Sequence, residues 1–243
     1  MRPTLEGVCY LAKWNGTLVT TVFGRNSKAP LIWKILGADY GMDIAVPFVY
    51  TDLRVAAVKD HVFKPGDILF EPLLLAWHPD QLDVVAAYGF WAPTGNFSRA
   101  HPAEPGKGFW SHMLTLGATW YPTGDKTLAA ALLNRYEFHT RNDRLDATPG
   151  HSYTLEWGLS KTIIESVDVG LIGYYQQQVT ADHGRGMHLV SGRARDRVVA
   201  MGPEVNAFLP MLPMFASLRY VREFSAKDRP KGNTVTLTVT AKW

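Results

Sequence analysis

The sequence predicts an all-β protein, a transmembrane antiparallel up-and-down β-barrel of twelve strands. Three observations lead there. Apolar residues recur at every second position through most of the chain, which is the period of a pleated strand and not of a helix. The connections between these segments are short and long in turn, as in barrels whose strands cross a bilayer. The chain also closes on "GNTVTLTVTAKW" (232–243), a strand with apolar residues at alternate positions and a terminal aromatic ring.

The alternating segments fall at 7–23, 29–36, 41–50, 66–78, 81–92, 109–121, 126–139, 150–161, 165–178, 197–209, 213–224 and 233–243. In the first, "KWNGTLV" puts Asn15 and Gly16 in the middle of a strand that has to pair with the last. The fifth carries Leu82, Val84, Ala86, Tyr88 and Phe90 on one face. In the sixth, Trp110 and Trp120 share a face with Leu114, Leu116 and Ala118 between them. At about 3.3 Å per residue they stand roughly 33 Å apart, and a tilt of about 40° reduces this to roughly 25 Å, the height of the apolar band between aromatic girdles. The seventh, "DKTLAAALLNRYEF" (125–138), fits helical spacing and strand alternation about equally, with Ala130, Leu132, Tyr136 and Phe138 set against Arg135 and Glu137. In the eighth, Tyr153, Leu155, Trp157 and Leu159 alternate with Ser152, Thr154, Glu156 and Ser160. Val167, Val169, Leu171 and Tyr175 share a face of the ninth, as do Met214, Ala216, Leu218 and Tyr220 in the eleventh.

From the fourth segment onward the connections are "PD" (79–80), a long loop 93–108, "PTGD" (122–125), a long loop 140–149, a short link 162–164, a long loop 179–196, "PMLP" (210–213) and "SAKDRPKG" (225–232). An even strand number puts both termini at the short-turn end. The last strand then closes against the first and leaves no exposed sheet edge. Trp243 falls at a membrane interface, where an amphipathic ring is favoured, and a terminal aromatic of this kind is similar to the recognition signal of bacterial outer-membrane barrels.

Composition narrows the function classes. The chain has 243 residues, 47% hydrophobic and 19% charged, with a net charge of +3, and reads as one domain over 1–243. No basic block interleaves with aromatics, and the run from Arg193 to Arg197 contains Asp196, so no nucleic-acid partner is expected. Cys9 is the only cysteine, which excludes an intramolecular disulfide and a cysteine zinc cage. "MRPTLEGVCYLAKW" displays no charged segment followed by an apolar one, so no signal peptide is visible. Apolar runs such as "LLLAW" (73–77) are far too short for a membrane-spanning helix, so contact with membrane lipid falls to strands.

In a barrel, the face opposite the lipid-facing set lines the interior. There the alternation places Asp83, Ser111, Thr115, Thr119, Arg135, Glu137, Glu156, Asp168, Gln176, Arg219 and Glu223. Mixed acids and bases suit a lumen where opposite charges pair across strands, and they suit equally a solute path or an interior plugged by its own pairs. Twelve strands enclose a space between the filled eight-stranded and the open sixteen-stranded barrels, which favours a narrow pore. Phe97, Phe109 and Met187, near the long loops, are candidates for an apolar entrance that receives a ring-shaped solute, against the plainer reading of loop packing. "PGKGF" and "DHGRGMH" lack the strand-to-helix context of a phosphate loop, and Asp182, His183 and His188 match no metal spacing, so neither cofactor nor metal is expected. No nucleophile elbow and no zinc-protease helix motif accompanies the eight histidines, and the chain does not read as an enzyme. A soluble or peripheral β-barrel that binds a lipid-like ligand is the alternative, with an outer-membrane barrel hydrolase behind it.

The ordered set "GDILFEPLLLAWH" (66–78), "YGFWAPTGNF" (88–97), "GKGFWSHMLTLGATWYP" (106–122), "GLIGYYQQQVTADHGRG" (170–186), "RVVAMGPEVN" (197–206) and "LRYVREFSAKDRPKGNTVTL" (218–237) resembles the bacterial outer-membrane family named for the meta-cleavage pathway of phenol degradation. The resemblance covers about residues 36–243; residues 1–35 match poorly, and family members carry a signal peptide. It implies a monomeric twelve-stranded barrel in a Gram-negative outer membrane, with a narrow, largely apolar channel for passive uptake of small hydrophobic or aromatic compounds. It implies an association with aromatic degradation, the origin of the family name, which does not establish an enzymatic role.

Overall fold

Alternation along the chain becomes pairing between consecutive strands. The computed structural model describes residues 17–23, 34–55, 58–98, 100–101, 103–184, 195–209, 214–229 and 231–241. Its strands are β1 (Thr17–Phe23), β2 (Lys34–Ile35), β3 (Ala38–Val55), β4 (Val58–Pro65), β5 (Ile68–Trp77), β6 (Leu82–Ala92), β7 (Ser111–Trp120), β8 (Leu128–His139), β9 (Ala147–Thr148), β10 (Ser152–Ile164), β11 (Val167–Gln178), β12 (His183–Gly184), β13 (Arg197–Leu209), β14 (Met214–Lys227) and β15 (Asn233–Ala241). Among the described residues there is no helix.

The main sheet is an antiparallel meander in the order β1-β3-β5-β6-β7-β8-β10-β11-β13-β14-β15. β9 and β12 pair with each other inside two of the long connections (His183↔Thr148, Gly184↔Ala147). The path runs from β1 to β15, and among the described residues no ladder joins these two ends, so the predicted closure is not seen.

The twelve predicted segments map onto eleven places in this path. β1 and β2 share one edge of β3: Phe23 pairs with Gly41 and Lys34 with Asp39, while β5 takes the other edge at the same residues (Gly41↔Leu74, Asp39↔Ala76). Segments 7–23 and 29–36 therefore fill one place between them, and residues 7–16 and 29–33 lie outside the described residues. Leu36 and Gly37, at φ 52° and 77°, make the two-residue turn from β2 to β3, the left-handed pair that suits the twist of a hairpin. The predicted strand 41–50 runs on to Val55 and returns as β4, from Val55↔Val58 to Phe48↔Pro65. Charges at Asp52, Arg54, Lys59 and Asp60 hide this hairpin from a period-two reading, although Val55, Val58 and Val62 favour strands. The ambiguous stretch 125–138 forms a strand, β8, because ladders with β7 and β10 hold both its edges.

The sheet is inverted relative to a soluble protein. On β7 the residues Leu114, Leu116 and Trp120 are exposed at 51%, 58% and 54%, while Ser111, Met113 and Thr115 on the other face are buried. β13 repeats the pattern, with Met201, Val205 and Leu209 exposed and Val198, Ala200, Glu204 and Asn206 buried. Leu218 and Tyr220 on β14 and Val235 and Leu237 on β15 continue the exposed apolar face. Water would favour the opposite arrangement; hydrocarbon outside a curved sheet favours this one.

Candidate functional site

The sequestered face of the meander holds the charged side chains. Arg135 on β8 donates from Nη1 to Glu156 Oε1 on β10 at 2.6 Å. Thr115 stands opposite Arg135 in the β7–β8 register, buried on the same face. Arg219 on β14 pairs with Glu204 on β13 across that ladder, and Asn206 donates to the same glutamate. Tyr174 on β11 donates its hydroxyl to Glu223 Oε1 at 2.6 Å, and Arg229 reaches in from the β14–β15 turn to within 3.6 Å of that carboxylate. Arg229 Nη1 also donates to Gln176 Oε1 at 3.2 Å. Two apolar clusters share this face: Leu74, Val85, Ala87 and Leu133, and Tyr174, Val198 and Ala200. Gly117 leaves room for the first, since a Cβ there would meet Leu133 Cδ1 at 2.4 Å.

The two ends of the sheet are built differently. At the short-turn end, His78 Nδ1 lies 2.8 Å from Asp83 Oδ1, and Tyr121 donates its hydroxyl to Asp83 Oδ2 at 2.7 Å. Beside them an open cleft of about 420 Å³ is lined by Lys34, Gly37, Asp39, Ala76, Trp77, His78 and Pro79. At the long-loop end the connections are bolted to one another. Asp67 accepts from Gly95 N and Lys107 N, fixing loop 93–110 to the junction of β4 and β5. Asn142, fully buried, donates to Lys107 O at 3.0 Å and so ties loop 140–151 to loop 93–110. Gly150 N and Gln178 Nε2 both donate to Asp182, which ties residues 179–182 to the start of β10. Burial pushes the Asp196 carboxyl up from its ordinary range, against the pull of Arg229.

Of the residues read from the sequence, Arg135 with Glu156 is one pair, and Gln176 with Glu223 meets through Arg229. Arg219 pairs with Glu204, which the sequence reading passed over, although strict alternation in "MGPEVN" puts Gly202, Glu204 and Asn206 on one face. Thr119, Glu137 and Asp168 are half-buried strand residues on β7, β8 and β11. Asp83 belongs to the short-turn network and stands apart from the other pairs. At the loop end, the Phe109 ring packs edge-on against His139 at 5.3 Å, and the Phe97 ring lies over Gly108. Met187 lies outside the described residues. Glu71 and Asp43 were also missed; the bulge between Phe70 and Leu73 breaks the period at Glu71.

An antiparallel meander with leucines outward and ion pairs inward has the architecture of membrane β-sheet proteins. The fold is similar to that of the COG4313 outer membrane channel from Pseudomonas putida F1, at TM-score 0.63 and 12% identity over 83% of this chain and 84% of that one. The chain belongs to the "MetA-pathway of phenol degradation" family, whose profile matches residues 17–239. No curated protein matches it.

Proposed function

We propose that the chain is a passive outer-membrane channel for small hydrophobic or aromatic compounds. The observation that carries this reading is the inversion of polarity: exposed Leu116, Leu218 and Leu237 on one face, and buried Glu71, Ser217 and Glu204 on the other. Family membership and the likeness to an outer membrane channel support it. In this reading a monomeric barrel stands in the outer membrane of a Gram-negative bacterium. Phe97 and Phe109 receive the solute among the knitted loops. Asp83, Thr115, Thr119, Arg135, Glu137, Glu156, Asp168, Gln176, Arg219 and Glu223 line its path to the short-turn end. Movement is down a gradient, without catalysis or nucleotide.

The test is uptake of phenol into proteoliposomes carrying the full chain, beside protein-free vesicles and a sugar of similar size. Phenol entry faster than in protein-free vesicles, with little gain for the sugar, is the expected result. Equal phenol entry with and without protein would defeat the proposal.

A further inference from the structure

Among the described residues, charge on the sequestered face does not balance. Arg135, Arg219 and Arg229 each sit against a glutamate, respectively Glu156, Glu204 and Glu223. Glu71 is left over. It is 2% exposed, and its Oε1 is buried with no hydrogen-bond partner. Arg135 does not neutralise it, being held by Glu156.

The surroundings of Glu71 are built and acidic. Asp43 stands opposite it in the β3–β5 register and is also buried. Gly89 opens the slot in which Glu71 lies, because a Cβ at that position would come within 2.4 Å of Glu71 Cγ. The same row continues across the sheet through Gly89↔Met113 and Met113↔Glu137, and Glu137 forms no ion pair among the described residues. A buried carboxylate without a partner is costly unless a cation or a proton joins it. Rings of carboxylates are the usual device by which a pore favours cations.

We propose that the interior passes cations in preference to anions and that Glu71 is the charge that sets this preference, with Glu137, three strands along the same row, adding to it. The inference rests on the channel reading and narrows its solutes. Neutral and ammonium-bearing compounds fit the acidic row, and carboxylates of the same size are turned away.

The test is the reversal potential of the full chain in planar bilayers under a KCl gradient. Potassium is expected to permeate over chloride by about threefold or more, and Glu71→Gln to lower that ratio by roughly half, with a smaller drop for Glu137→Gln. Should Glu71→Gln fail to fold, the wild-type ratio and Glu137→Gln still decide. Conductance with a chloride preference, or a potassium preference untouched by both variants, overturns this inference and leaves the channel standing. Absence of any conductance overturns this inference alone, since phenol uptake decides the channel reading separately.

Discussion

The two faces of β7 differ in what satisfies them. Leu114, Leu116 and Trp120 project from the sheet and meet no second layer among the described residues, whereas Ser111, Met113 and Thr115 are buried. On the outer face the side chains need only be apolar, because lipid fills whatever shape they leave. On the inner face each polar group needs a particular partner, as the pairs Arg135–Glu156 and Arg219–Glu204 do. The cost of a substitution here depends first on which face it lands on, and only then on the residue type.

The largest effect that breaks this contrast is a charge on the outer face. Leu116 lies close to midway between Trp110 and Trp120, so Leu116→Arg is expected to lower stability in vesicles by about 3 kcal/mol. The same charge at the half-buried Thr119, opposite Asp83 in the β6–β7 register, should cost less than about 1 kcal/mol by urea titration. Equal costs at the two positions would erase the distinction between faces.

A smaller effect sharpens the inner face. Arg219→Ala strands the buried Glu204, and a loss of about 2 kcal/mol is expected, partly restored when Glu204→Gln is added. The same urea titration checks it. Independent, additive effects of the two substitutions would mean that the pair holds nothing together.

Much of this was legible in the sequence, for a physical reason. A strand between lipid and an enclosed interior must alternate, so β6, β7, β10 and β11 appear in the sequence nearly as they fold. β3 and β4 were half hidden, since the charges through 52–60 interrupt the alternation. Glu71 sits at a bulge, where one extra residue shifts every later side chain by a face, and no period-two count survives that. The knitting of the long loops could not be read at all. Asp67 finds its partners at Gly95 and Lys107, and Asn142 finds Lys107, separations at which sequence carries no local signal.

That β7 has one face in lipid would be tested most directly by nitroxide labels placed one at a time along residues 111–120 in vesicles. Collisional accessibility to oxygen, which concentrates in the bilayer, should peak at the even-numbered residues and fall at the odd ones. A flat profile, or one with its peaks at Ser111, Met113 and Thr115, would contradict it.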